Sequence, residues 1–207
     1  MTFEVVEEVY KGKPKKGVYL LQNLFTTAAL FSGFYAIVAA MNGMFEQAAV
    51  AIFVAMVFDG LDGRVARMTH TESAFGAEYD SLADCLSFGA APALVSYSWS
   101  LQYLGKIGWM IGFIYVACAA LRLARFNVQL GEADSRYFTG LPSPAAAAVV
   151  AGMVWVASDL GIDGAGMTVV AAIITAFAAV MMVSNVKFNS FKELDLKGRV
   201  PFVVILV

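Results

Sequence analysis

Six long stretches rich in Ala, Val, Leu, Ile, Phe and Met, each closed by a short polar interval, set the rhythm of this chain. About 20 such residues cross a bilayer core as one helix. The spacing predicts helices over 20–41, 46–67, 77–101, 107–126, 143–159 and 165–185. A seventh apolar run begins at Val200 and reaches Val207, where a further helix is expected to start. Ahead of the first helix, Phe3, Val5, Val6 and Tyr10 give residues 1–16 an apolar face, with Glu7, Glu8 and Lys11 outward. Such a segment suits the membrane surface. The Ala-rich stretches permit close helix packing, and no internal repeat interrupts them. The pattern therefore predicts an all-α membrane bundle of six or more transmembrane helices, one domain over 1–207.

Composition sharpens this. The 207 residues are 60% hydrophobic and only 14% charged, with a mean hydropathy of +0.72. A soluble domain is about half apolar and roughly a quarter charged. The net charge of −2 offers no footprint for nucleic acid. Cys85 and Cys118 lie inside apolar runs and read as packed thiols, not as a disulfide or a zinc site. Met1–Lys16 runs from acidic to basic, so no cleavable signal peptide is expected.

Placing the basic residues on alternating helices gives an orientation. Lys11, Lys13, Lys15 and Lys16 precede the first helix, and Arg64 and Arg67 end the second. Arg122 and Arg125 end the fourth, Arg136 follows in its loop, and Lys187, Lys192, Lys197 and Arg199 follow the sixth. All of these fall on one side and only Lys106 on the other. Basic loops face the cytoplasm, so the N-terminus and the loops after helices 2, 4 and 6 are expected there.

Four aspartates break the apolar pattern. Asp59 lies about 21 Å past Phe45 at ~1.5 Å per residue, within a hydrocarbon layer roughly 30 Å thick. Asp59 and Asp62 are separated by ~60° around their helix, and Asp80 and Asp84 by ~40° around theirs. The short loop Met68–Phe75 makes these two helices antiparallel neighbours, so the acidic faces are expected to meet near the cytoplasmic boundary. Each unpaired charge at that depth costs ~2.5–3.5 kcal/mol. A purely structural reading has Arg64 and Arg67 as ion-pair partners, but two cations do not neutralise four carboxylates. Hard oxygen ligands suit Mg²⁺, Mn²⁺ or Ca²⁺. His70, the only histidine, reads as a solvated loop residue. Gly60, Gly63, Ala66, Gly76, Ala77 and Ala83 surround the acids, serving either helix packing or the close approach of a ligand.

The spacing Asp59-x-x-Asp62-Gly63-x-x-Ala66-Arg67-x8-Gly76-x-x-x-Asp80-x-x-x-Asp84 resembles the signature of the CDP-alcohol phosphotransferase family (class I phosphatidyltransferases). The resemblance implies an integral membrane enzyme, commonly a homodimer, that moves a phosphatidyl or related group from a CDP-linked donor to an alcohol and releases CMP. It implies that Asp59, Asp62, Asp80 and Asp84 hold Mg²⁺ or Mn²⁺, a site that Ca²⁺ also fits. Asp84 would be the catalytic base. Gly63, Ala66, Arg67 and Gly76 would bind the CDP moiety.

Other segments bear on the alcohol. "LLQNLFTTAALFSGFYAI" near the start, "LRLARFNV" over Leu121–Val128 and "YFTGLPSPAAAA" over Tyr137–Ala148 resemble the bacterial and archaeal branch of that family that uses L-serine. Gln22 stands where the common pattern has Pro, which bears on how helix 1 begins and not on the chemistry. The branch implies CDP-diacylglycerol and serine as substrates and phosphatidylserine as product. A guanidinium fork holds a carboxylate at two points, so Arg122 and Arg125, with Asn127 and Ser143, are the candidate serine ligands. The competing reading makes both arginines membrane anchors or lipid-phosphate ligands, as Lys187 and Lys192 are read. Glycerol 3-phosphate or an inositol phosphate is the alternative acceptor, and a divalent-cation transporter is the distant alternative.

Overall fold

The computed structural model describes the backbone of residues 16–69, 73–129, 137–184 and 187–189. Side chains are described within 23–65, 75–128 and 140–184, and at Ser73. Residues 1–15 with Lys11, Lys13 and Lys15, together with His70, Arg136, Lys192, Lys197, Arg199 and the run from Val200, lie outside the described residues.

Helices α1 (Lys16–Met41) and α2 (Phe45–Thr69) form an antiparallel hairpin. Its turn depends on Gly43 at φ +74°, a conformation glycine adopts without a side-chain clash. Asn42 Nδ2 donates to Val38 O at 2.8 Å and satisfies one carbonyl at the end of α1. Helix α3 (Ala74–Asp84) starts on an N-cap: Ser73 Oγ accepts from Gly76 N at 2.9 Å.

The rod expected over 77–101 is real but not uniform. After α3 it widens into a π turn over Cys85–Ala90, then resumes as α4 (Ala91–Trp99) and ends in a 3-10 turn over Leu101–Leu104. Helix α5 (Lys106–Gln129) follows, then α6 (Ser143–Asp159), a 3-10 turn at Gly164–Met167 and α7 (Thr168–Val183). Pro144 sits in the first turn of α6, where its missing N–H costs nothing. Two three-residue strands, Tyr137–Thr139 and Lys187–Asn189, pair antiparallel with Phe138 opposite Phe188. This small ladder was not expected from the sequence.

The interior is built mostly from small side chains. Ala36, Ala39 and Ala40 of α1, Ala48, Ala49 and Ala55 of α2, and Ala147, Ala151 and Ala157 of α6 pack around Ile52, Phe88, Val95 and Trp99. A second cluster joins Tyr115 and Ala119 of α5 to Ala146 and Val150 of α6 and to Ala178, Ala179 and Met182 of α7. Large apolar residues point outward instead, among them Phe31 at 67% exposure and Phe177 at 63%. That inversion fits a bundle solvated by lipid, and this is a membrane protein. Among the described residues, three segments are long and apolar enough to cross a membrane: Asn23–Met41, Lys106–Val128 and Gly164–Val183. Helix α6 is apolar but shorter, at 17 residues. Helix α2 is diluted by Asp59, Asp62, Arg64 and Arg67 in its second half, and the 77–101 rod is divided by its π turn.

Candidate active site

Helix α3 packs against α1, and its acidic side chains look across to that of Asp59 on α2. Asp59 of α2 and Asp80 and Asp84 of α3 then converge, each half-buried, with one carboxylate oxygen apiece and all three within 4.8 Å of one another. Three negative groups this close repel strongly at low dielectric. A cation bound at ~2.0–2.6 Å from each oxygen spans that separation. The donor set is all hard oxygen, which suits Mg²⁺, Mn²⁺ or Ca²⁺.

Asp62 is not part of this triangle. It is 2% exposed and turns towards α1, where its Oδ2 accepts a hydrogen bond from Thr26 Oγ1. Its Oδ1 is buried with no hydrogen-bond partner among the described residues. Its charge still acts on Asp59, Asp80 and Asp84. A buried carboxylate oxygen left unpaired beside three other acids is costly, and a cation held nearby would offset that cost. The acidic residues present therefore fit a divalent ion.

The threonines of α1 are what sequence reasoning passed over. Thr26 and Thr27 are adjacent, ~100° apart around the helix, so each meets a different acid-bearing neighbour. Thr26 reaches Asp62 of α2, and Thr27 Oγ1 lies 2.9 Å from Tyr79 OH of α3. Tyr79 precedes Asp80 and stacks on Phe75, with ring centroids 6.1 Å apart. Two consecutive hydroxyls inside an apolar helix were the available signal.

Arg122 of α5 brings positive charge to Asp84. Its Nη1 donates to Ser143 Oγ at 2.9 Å, at the start of α6, while its Nε is buried with no partner among the described residues. Asn127 Nδ2 donates to Ser81 Oγ at 3.0 Å, so α5 also touches the turn between Asp80 and Asp84. Arg125 is directed elsewhere: its Nη1 donates to Val183 O, at the C-terminus of α7, at 3.4 Å. Leu141 N–H donates to Met181 O at 2.9 Å, and Gly140 takes φ +83° against the carbonyls of Met182 and Ser184. The segment that presents Ser143 is thereby fastened to the end of α7.

Of the expected nucleotide ligands, Gly76 is buried at the start of α3 and Gly63 is half-buried on α2. Ala66 and Arg67 continue α2, with side chains outside the described residues. Cys85 and Cys118 are free thiols.

A family model described as CDP-alcohol phosphatidyltransferase matches residues 19–184. The CDP-diacylglycerol–serine O-phosphatidyltransferase of Helicobacter pylori (strain ATCC 700392 / 26695) is 36% identical over 194 residues, covering 94% of this chain and 81% of its own length. The protein of that name from Saccharomyces cerevisiae is 40% identical over 139 residues, 60% of this chain and 50% of its own. The archaetidylserine synthase of Methanothermobacter thermautotrophicus is 35% identical over 170 residues, 81% of this chain and 69% of its own.

Proposed function

The chain belongs to the CDP-alcohol phosphatidyltransferase family, and on that premise we propose that it transfers the phosphatidyl group of CDP-diacylglycerol to L-serine. The products are phosphatidylserine and CMP, which makes the protein a transferase of phospholipid biosynthesis. The observation that carries this reading is the convergence of Asp59, Asp80 and Asp84 from two helices, with the Arg122–Ser143 pair beside Asp84.

The serine hydroxyl oxygen attacks the lipid-side phosphorus, the bond from that phosphorus to CMP breaks, and CMP leaves with the electron pair. Asp84 takes the hydroxyl proton, as a positioned general base does. Asp59, Asp80 and Asp84, with Asp62 behind them, would hold Mg²⁺ or Mn²⁺. When bound there, a divalent cation would supply charge to offset the pyrophosphate and polarise its oxygens. Gly63, Ala66 and Gly76 leave room for the cytidine, and Arg67 supports the phosphates. Arg122, with a buried Nε to spare, takes the serine carboxylate, and Ser143 fixes the guanidinium in place. Asn127 lies on the same side through Ser81. Arg125, also on α5, steadies this arrangement by holding the C-terminal end of α7.

The rod 77–101, α2 and α6 complete six spans with the three apolar segments, with Asp59, Asp62, Asp80 and Asp84 turned into the bundle. The protein sits in the cell membrane as a homodimer, with its N-terminus and active site on the cytoplasmic side, as the distribution of Lys and Arg supports.

Purified protein given CDP-diacylglycerol and a panel of alcohols tests the reading. CMP release is expected with serine, and only when Mg²⁺ or Mn²⁺ is present. Release with glycerol 3-phosphate or an inositol phosphate but none with serine would reassign the acceptor. Release from CDP-archaeol in preference to CDP-diacylglycerol would reassign the donor.

A further inference from the structure

The helix that carries Asp80 and Asp84 changes its winding immediately after Asp84. Over Cys85–Ala90 the turn is a π turn, closed by Ala91 N–H donating to Leu86 O, five residues back. Pro92 gives the physical reason. In an ordinary helix the residue at 92 donates to the carbonyl of Phe88; proline has no N–H, and its ring crowds that carbonyl. A wider turn relieves the crowding, and the carbonyl is met from outside the helix. The Tyr115 hydroxyl of α5 donates to Phe88 O at 3.3 Å, with both residues 0% exposed.

Helix α1 holds the same turn from the opposite side. Ser87 Oγ donates to Ala29 O at 3.1 Å. A Cβ placed on Gly33 would stand 2.5 Å from Ser87 Oγ and 2.7 Å from Ser87 Cα, so the two backbones touch where no side chain intervenes. The consequence is one of phase. One extra residue rotates everything beyond it by ~100°. Helix α4 can thus seat Ala91, Val95 and Trp99 in the core while α3 keeps Asp80 and Asp84 turned to Asp59. Widened turns of this kind recur at functional sites.

We infer that Tyr115 is a positioning residue of the cation site: by pinning the Phe88 carbonyl it fixes the π turn and, through it, the rotation of Asp80 and Asp84 towards Asp59. This rests on the reading that these acids hold a divalent ion. Tyr115 itself touches neither substrate nor ion.

The test uses purified full-length protein in lipid nanodiscs, with Mn²⁺ binding followed by electron paramagnetic resonance without any CDP-lipid, and thermal unfolding measured in parallel. Tyr115→Phe is expected to weaken Mn²⁺ binding about tenfold, the scale of one buried hydrogen bond, while leaving the serine KM at saturating Mn²⁺ unchanged. Pro92→Ala restores an N–H for Phe88 and lets the turn close as ordinary helix. It is expected to weaken Mn²⁺ binding at least as much while keeping or raising the thermal midpoint, and adding Tyr115→Phe to it weakens binding no further. A merely structural bond predicts the reverse, a lower midpoint with unchanged ion affinity. The inference is overturned if Tyr115→Phe lowers the midpoint but binds Mn²⁺ like wild type, or if Pro92→Ala leaves ion affinity unaltered. Wild type that binds no Mn²⁺ overturns the cation reading and this inference together. Wild type that binds Mn²⁺ but releases no CMP with serine overturns the acceptor assignment alone.

Discussion

Replacing Arg122 by Gln removes one positive charge from beside Asp84 and keeps an amide in place of the guanidinium. The structure sets the size of the effect. Arg122 spends Nη1 on Ser143 and keeps a buried Nε without a partner among the described residues, which leaves a donor for an acceptor carboxylate. A hydrogen bond to a charged group contributes ~1.5–3 kcal/mol, and ~1.4 kcal/mol is tenfold in an equilibrium constant. The serine KM of Arg122→Gln should therefore rise roughly 10- to 150-fold, with the KM for CDP-diacylglycerol little changed. Ser143→Ala loses only a neutral bond to the same guanidinium, ~0.5–1.5 kcal/mol, and should raise the serine KM about 2- to 12-fold. The assay is CMP release at saturating donor with serine titrated. A serine KM that stays at the wild-type value while kcat falls would overturn the assignment of Arg122 to the acceptor. Arg122 would then serve Asp84 and not the acceptor.

Asp84→Asn should lower kcat by about 10²–10⁴, the usual contribution of a general base, while CDP-diacylglycerol still protects the protein against thermal unfolding; near-normal turnover would remove Asp84 from the base role. Two glycines on neighbouring helices should behave oppositely. Gly33→Ala drives a methyl into Ser87 and should destabilise by ~1–3 kcal/mol. At Gly60 a methyl meets nothing within 4 Å, so Gly60→Ala should stabilise by up to ~1 kcal/mol through helix propensity. Thermal midpoints of the two variants check the pair, and equal shifts would contradict the packing described at the π turn.

The helix ends were readable because apolar runs and their breakers coincide. Residues 143–159 were expected as a helix and are one, and 46–67 became Phe45–Thr69. What a hydropathy pattern does not carry is the winding within a run. The rod at 77–101 satisfies the pattern whether or not it contains a π turn, and only Pro92 marked the break. The acid site divides in the same way. Spacing puts Asp59 and Asp62 on one side of α2, but which of them faces α3 depends on the rotation of α2 about its axis. In the structure Asp62 pairs with Thr26 across the hairpin while Asp59 turns to α3. Likewise, Arg122 and Arg125 are a single turn apart and look equivalent in sequence. Only the placement of α6 and α7 beside α5 separates them, giving one Ser143 and the other Val183 O.

The alanine-filled interior has a practical consequence for handling the protein. Methyl-sized side chains interlock only while the rods stay pressed together, and in an apolar solvent nothing analogous to water drives them back once they part. Short-chain surfactants, which wedge between rods more readily than lipid tails do, should loosen the seam of α1, α2 and α6 before they unwind any single rod.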